Sequence, residues 1–347
     1  MRSRGSGCTG MNKSRTRKER VDRGVKARSE DVFALSSWRE ILYLLAPRLL
    51  PVLVLFLLAL VLPVYWKKVL VSSAIFGILA MSWDFLVCAG LVSLGQALFF
   101  GVGAYLAGTF HHLWGWPWWL TLPLASLLGG GICTLLLAPV LRLRGIYFSM
   151  VTLVLPLMLV RIIEATKALG GTEGLSGIQG FPGLGVELVL SVGMFLAALF
   201  GYRRILGTDY GLVMQGIRDN DRSVISSGIN AHWFRAQALF LAGCMGALAG
   251  AFMTHAYMFV GMPVFALDYS ILPITAAVVG GMGSIAGPAL GAFILVPLSE
   301  ALRALGALRI VFYGVFLVIF IVGLPEGLFH YLKRKYHQFE RWTAVES

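Results

Sequence analysis

The chain has 347 residues, 58% of them apolar and only 13% charged, with a formal net charge of +12. That usage excludes an ordinary soluble protein and places the chain among membrane proteins. The positive charge is concentrated: residues 1–48 hold twelve Lys and Arg against five Asp and Glu, which beside a membrane span reads as an anchor to anionic lipid rather than a nucleic-acid tail.

Met1 to Glu40 is too long and too charged before its first apolar run for a cleavable signal peptide. It is expected to be a disordered basic cytoplasmic tail, either retained or the product of a mis-assigned start. Apolar runs then predict helices near 49–66, 69–89, 93–111, 117–140 and 146–163, followed by 185–202, 235–256, 268–281, 285–302 and 308–324. The expected fold is an all-α, polytopic integral membrane protein of about ten transmembrane helices. The domain reading is a tail over 1–40, a membrane domain over 41–330 and a basic cytoplasmic tail over 331–347. The 268–281 run is short and enters Gly280, Gly281 and Gly283, so it predicts a broken or re-entrant helix, which is tolerated only inside protein or beside water.

With ten crossings and the N-terminus inside, 23 Lys and Arg fall on the inner side and six on the outer, which supports N-in, C-in topology. His111, His112, Trp114, Trp116, Trp118 and Trp119 then stand at an outer helix end, where amphipathic rings favour the headgroup layer. Adjacent histidines rarely converge on one ion, so no metal site is expected there. The cysteines Cys8, Cys88, Cys133 and Cys244 lack the spacing of a zinc site, and three of them lie in apolar runs.

Chemistry is equally sparse. None of the eight lysines follows a glycine, so there is no Walker A loop, and neither a G-x-S-x-G elbow nor an H-E-x-x-H helix occurs. The chain is expected not to be an enzyme and to hold no cofactor. Asp84 lies within a span and invites two readings: a proton relay, as in a stand-alone channel or proton-coupled transporter, or a plainer role as a helix–helix hydrogen bond or a cavity-facing carboxylate.

The longest internal polar stretch, 208–235, predicts two short helices. Leu212, Val213, Met214 and Ile217 give the first an apolar side; Asn220 caps the second, and Gly228 ends it in a left-handed conformation. A polar face of mixed charge and small residues suits a protein groove better than a lipid surface.

Four motifs in order now resemble the LivM-type permease subunits of ABC importers for branched-chain amino acids, a family closely similar to urea-type permeases. They are Ser93-Leu-Gly-Gln-Ala-Leu-Phe-Phe-Gly-Val-Gly-Ala-Tyr105, Leu143-Arg-Gly-Ile-Tyr-Phe-Ser149, the loop Gly211–Asn230 with Arg218-Asp-Asn-Asp221, and Gly280-Gly-Met-Gly-Ser-Ile-Ala-Gly-Pro288. Gly170-Gly-Thr-Glu-Gly-Leu-Ser-Gly177 adds to the match, which spans about residues 70–330. The resemblance implies a bacterial cytoplasmic (inner) membrane subunit paired with a homologous permease. Its further partners would be two ATPase subunits, which bind ATP-Mg, a soluble or lipid-anchored substrate-binding protein, and membrane lipid, with no nucleic acid. It implies an ATPase-coupling element formed by Gly211, Arg218, Asp219, Asn220, Asp221, Ser223, Gly228 and Asn230. The family often has Glu where Asp219 and Asp221 stand.

For the substrate pathway the candidates are Ser93, Gln96, Gly101, Tyr105, Glu173, Gly281 and Ser284. Each retains a plainer reading. Ala97, Gly101, Tyr105 and Gly108 also suit a helix-packing seam, the 170–177 loop a mobile turn, and Gly280–Pro288 a simple turn. Branched-chain amino acids and urea or another small amide both remain open as cargo.

Overall fold

The computed structural model describes residues 62–143, 145–306, 308–323, 327–332 and 334. The predicted 1–40 tail, Cys8, most of the 49–66 run and most of the 331–347 tail lie outside the described residues. Among the described residues, these α-helices follow in chain order: α1 Val64–Cys88, α2 Gln96–Trp114, α3 Trp118–Leu137, α4 Ile146–Thr166, α5 Leu184–Leu206, α6 Asp209–Ser226, α7 Ala231–Tyr257, α8 Asp268–Gly280, α9 Ala286–Ala301 and α10 Leu308–Gly323. Two-residue strands, β1 Leu175–Ser176 and β2 Phe259–Val260, pair antiparallel.

Helix ends follow local chemistry. Pro63 and Pro117 precede α1 and α3, where a missing N–H costs nothing, and Gly115 at φ +66° ends α2. Six of the described segments are long and apolar enough to cross a membrane: α1, α3, α4, α5, α7 and Met262–Gly280. The last combines a 3-10 turn, Met262–Phe265, with the 13-residue α8, which ends at Gly280, where the sequence places the interruption; the additional break before Asp268 is not expected from it.

Helix α1 is the buried axis, with 89% of its apolar window inside the fold, whereas the windows of α4 and α5 are 28% buried. Helices α9, α5, α7 and α8 pack around α1, and on the far side of α7 the helices α2, α3 and α7 approach one another backbone to backbone. A Cβ on Gly103 would strike the Ala247 carbonyl, one on Gly250 the Phe100 carbonyl, and one on Gly130 the Cys244 sulfur. Lipid supplies no hydrophobic drive between helices, so close approach through small residues is what gains dispersion contacts.

The helices join two ends. At one, Lys68 of α1 pairs with buried Glu187 of α5 at 2.5 Å. His111 and His255 there hold Gln179 from both sides: Nε2 of His111 accepts from the Gln179 N–H at 3.1 Å, and Nδ1 of His255 donates to its carbonyl at 2.7 Å. Rings of Phe110, Trp114 and Trp116 cluster beside them, in keeping with an interfacial position. At the other end lie α6, the α1–α2 loop, the start of α4 and the α8–α9 turn.

Candidate functional site

Helix α6 is two helical segments broken at Asn220, whose φ of −156° and ψ of 95° leave the helical region. Its Oδ1 accepts from the Ser223 N–H at 3.3 Å, capping the second segment. Gly228, at φ +84°, ends it as expected. Asn230 then caps α7 by accepting from the Trp233 N–H at 3.2 Å.

The inward face of the first segment is Gly211, Met214 and Ile217, all buried at a three-residue repeat. Leu212 lies off that face and is 62% exposed, which corrects its assignment to the apolar side. Gly211 is pressed against the Leu206 carbonyl, where no side chain fits. Tyr210 stacks on Phe234 at 5.2 Å and donates to its carbonyl at 3.4 Å; burial pushes the phenol up to about 12, so it remains a donor near neutral pH.

The charged residues divide between anchoring and display. Asp221 pairs with the largely buried Arg235 at 3.4 Å and holds α6 to α7. Asp219 is 70% exposed at its side chain and is paired with Arg218 at 3.3 Å. Arg222, Ser223, Ser226 and Ser227 are exposed, and Ile225 is 44% exposed, so the outward side of α6 mixes polar groups with two uncovered aliphatic side chains.

This end brings the motifs together. A cavity of about 620 Å³ is bounded by Leu91 and Val92, by Leu143, Gly145, Phe148 and Ser149, and by Arg218–Arg222 with Arg235. Ser149 donates to the Val92 carbonyl at 2.6 Å, tying the start of α4 to the α1–α2 loop. Arg218 meets that loop at Gly90, whose φ of +75° and 3.2 Å clearance from the Arg218 Cα leave no room for a side chain. Arg218 also reaches the α8–α9 turn: its Nη1 is 3.5 Å from where a Cβ on Gly283 would stand.

Asp84 completes the turn. Its carboxylate, wholly buried, accepts from the Gly283 N–H at 2.6 Å and the Ile285 N–H at 2.9 Å. Of the two readings of Asp84, the structure therefore shows the hydrogen bond between elements, with both oxygens engaged by backbone donors.

The expected pathway residues do not line one conduit within this chain. Ser93 is buried and structural: its hydroxyl accepts from the Gly95 N–H and its carbonyl from the Trp83 indole at 2.6 Å. Gln96 is buried against Ser82, with its Nε2 unpaired. Gly101 lies under the ring of Phe265, and Tyr105 stacks on the same ring at 5.6 Å with its hydroxyl unpaired. Gly281 and Ser284 belong to the α8–α9 turn, where Ser284 donates to the Gly281 carbonyl. Glu173 is exposed at the opposite end, beside the β1–β2 pair. The reason is geometric: small and polar residues on apolar helices serve helix contacts as readily as water-filled surfaces.

Residues 65–324 match the family model described as branched-chain amino acid transport system / permease component. The chain is 26% identical over 271 residues to the high-affinity branched-chain amino acid transport system permease protein LivM of Escherichia coli K12, and 27% identical over 271 residues to LivM of Salmonella typhimurium. Each alignment covers 69% of this chain and 64% of the relative. A probable branched-chain amino acid transport permease protein LivM of Methanocaldococcus jannaschii is 24% identical over 233 residues, covering 60% of this chain and 67% of the relative. No solved structure matches. An all-α, multi-pass inner-membrane protein by its helices and its relatives, the chain belongs to the family of branched-chain amino acid transport system permease components.

Proposed function

We propose that this chain is the non-catalytic permease subunit of an ATP-binding cassette importer that translocates branched-chain amino acids. It works with a homologous permease, two ATPase subunits that bind ATP-Mg, and a substrate-binding protein on the outer side. The cargo class rests on the names of the relatives, and urea remains an alternative without an observation in its favour. The observation that carries the coupling role is the division of α6. Its inner side is held to α7 by the Asp221–Arg235 pair and by Tyr210 and meets the α1–α2 loop and the α8–α9 turn at Arg218, while Leu212, Asp219, Ser223 and Ile225 face outward at one end of the bundle. An amphipathic helix fixed on one side and uncovered on the other suits a groove in a partner protein. A proton-coupled mechanism through Asp84 has little to recommend it, since both carboxylate oxygens already bind backbone N–H groups.

The test uses exposed residues alone. Asp219→Lys with Leu212→Asp should leave membrane insertion and thermal stability near wild type and remove ATPase co-purification and ATP-dependent leucine uptake. Asp221 is unsuitable for this purpose, because its loss would strand Arg235. Normal co-purification and uptake by the double variant would refute the docking assignment. Competition of leucine uptake by isoleucine and valine but not urea is the expected specificity.

A further inference from the structure

The α8–α9 turn is an improbable piece of backbone to hold at this place. Gly281 and Gly283 take φ of +107° and +82°, and Ile285, a β-branched residue, takes φ of +54°. A left-handed β-branched residue persists only where surrounding contacts over-determine it. Those contacts come from α1: the buried Asp84 carboxylate receives the N–H groups on both sides of Ser284. Behind the turn, Gly280 packs on the Gly287 carbonyl, so the ends of α8 and α9 are in direct contact. In front of it lies Arg218 of α6, whose guanidinium reaches the Gly283 position. A single buried carboxylate thus stands between the exposed helix α6 and a hairpin of two short apolar helices, α8 and α9.

Resting on the permease reading above, we propose that Asp84 is the positioning residue that makes α6, the end of α1 and the α8–α9 hairpin move as one body. Its carboxylate satisfies two donors that the turn presents to an apolar interior, which fixes Gly283 where Arg218 of α6 meets it, and its charge acts on Arg218 through space, without a direct hydrogen bond. A push on α6 is therefore delivered to the hairpin, whose far end begins beside Tyr269. That ring stacks on Phe76, the middle residue of α1, and on Phe100 of α2. Displacement at the α6 end reaches the middle of the membrane domain along α8, which is locked to α9 by glycine contacts at Gly280, Gly287 and Gly291.

The substitution that isolates this role is Asp84→Asn. Asparagine keeps the size but sets an amide donor against one of the two backbone donors and removes the attraction for Arg218. Ile285→Gly relaxes the turn and serves as the background in which Asp84→Asn is made should the single variant fold poorly. Two measurements separate the proposal from the reading beneath it. In the chain alone in nanodiscs, spin labels on Asp219→Cys and Met282→Cys should give a narrow distance distribution. With Asp84→Asn, in either background, the distribution should broaden; a distribution that stays narrow overturns the proposal. In the assembled transporter, Asp84→Asn should retain ATPase co-purification and basal hydrolysis, while leucine imported per ATP hydrolysed falls about tenfold, the loss expected for one charged hydrogen bond. An unchanged ratio would also overturn it. Failure of the wild-type chain to bind any ATPase would remove the permease reading, and the spin-label distances would still decide whether Asp84 ties α6 to the turn.

Discussion

The packed middle of the bundle and its α6 end are held together by different forces. Where α2, α3 and α7 meet, glycines bring the helices into direct contact and most of the attraction is dispersion spread over many atoms, with Ser126 and Thr254 each donating to a carbonyl across it. At the α6 end a few polar side chains reach across gaps: Asp84 to the α8–α9 turn, Ser149 to Val92, Asp221 to Arg235, and Asn220 and Asn230 to helix N-termini. The first arrangement tolerates almost no displacement, because a shift of a few tenths of an ångström produces collisions. The second is joined by a few discrete polar bonds, which allow its parts to shift together as one body. A protein that must change shape without losing its seal against ions would place its mobile parts in the second region.

Three experiments test that contrast, from the largest expected effect to the smallest. Gly250→Val adds three carbons, the first of them set against the Phe100 carbonyl, where the obstacle is backbone and cannot swing aside. Folded, monodisperse protein should be nearly lost, as judged by fluorescence-detected gel filtration. Near-normal yield would show the middle to be looser than described. Lys68→Ala leaves Glu187 buried with no cation at the end opposite α6. Because Lys68 is half exposed, the cost is expected at about 1–2 kcal/mol rather than that of a fully buried pair. A thermal midpoint lowered in Lys68→Ala but kept in Lys68→Arg would confirm it. Asn230→Ala removes the α7 cap for about 1 kcal/mol. It should lower the midpoint slightly with ATPase co-purification unchanged, since the side-chain carbonyl oxygen of Asn230 is already engaged as the α7 cap. Loss of co-purification would return Asn230 to the docking surface that the family resemblance assigned it.

Much of the helical layout was legible before any coordinates. The run 268–281 became α8, Asp268–Gly280, and 285–302 became α9, Ala286–Ala301. The break at Asn220 and the stop at Gly228 were legible for the same reason: capping and left-handed backbone depend on residues three or four apart. The site was less legible. Leu212 follows an apolar residue pattern yet points outward, since one helical turn contains several faces and only packing selects one. Phe265 was not singled out, although its ring covers Gly101 and Tyr105; a bulky aromatic facing a glycine is a signal visible only once the two helices are paired.

What the sequence determined by itself is therefore the class, the alternation of apolar helices and polar breaks, and the place where α6 turns. These follow from hydropathy and backbone chemistry acting over a few residues. Tertiary structure alone decided what Asp84 does, because its partners Gly283 and Ile285 lie 199 and 201 residues away. A carboxylate in an apolar helix announces only that it needs donors. Which donors it finds depends on how the helices stack, and here they are the backbone of the α8–α9 turn, which also meets Arg218.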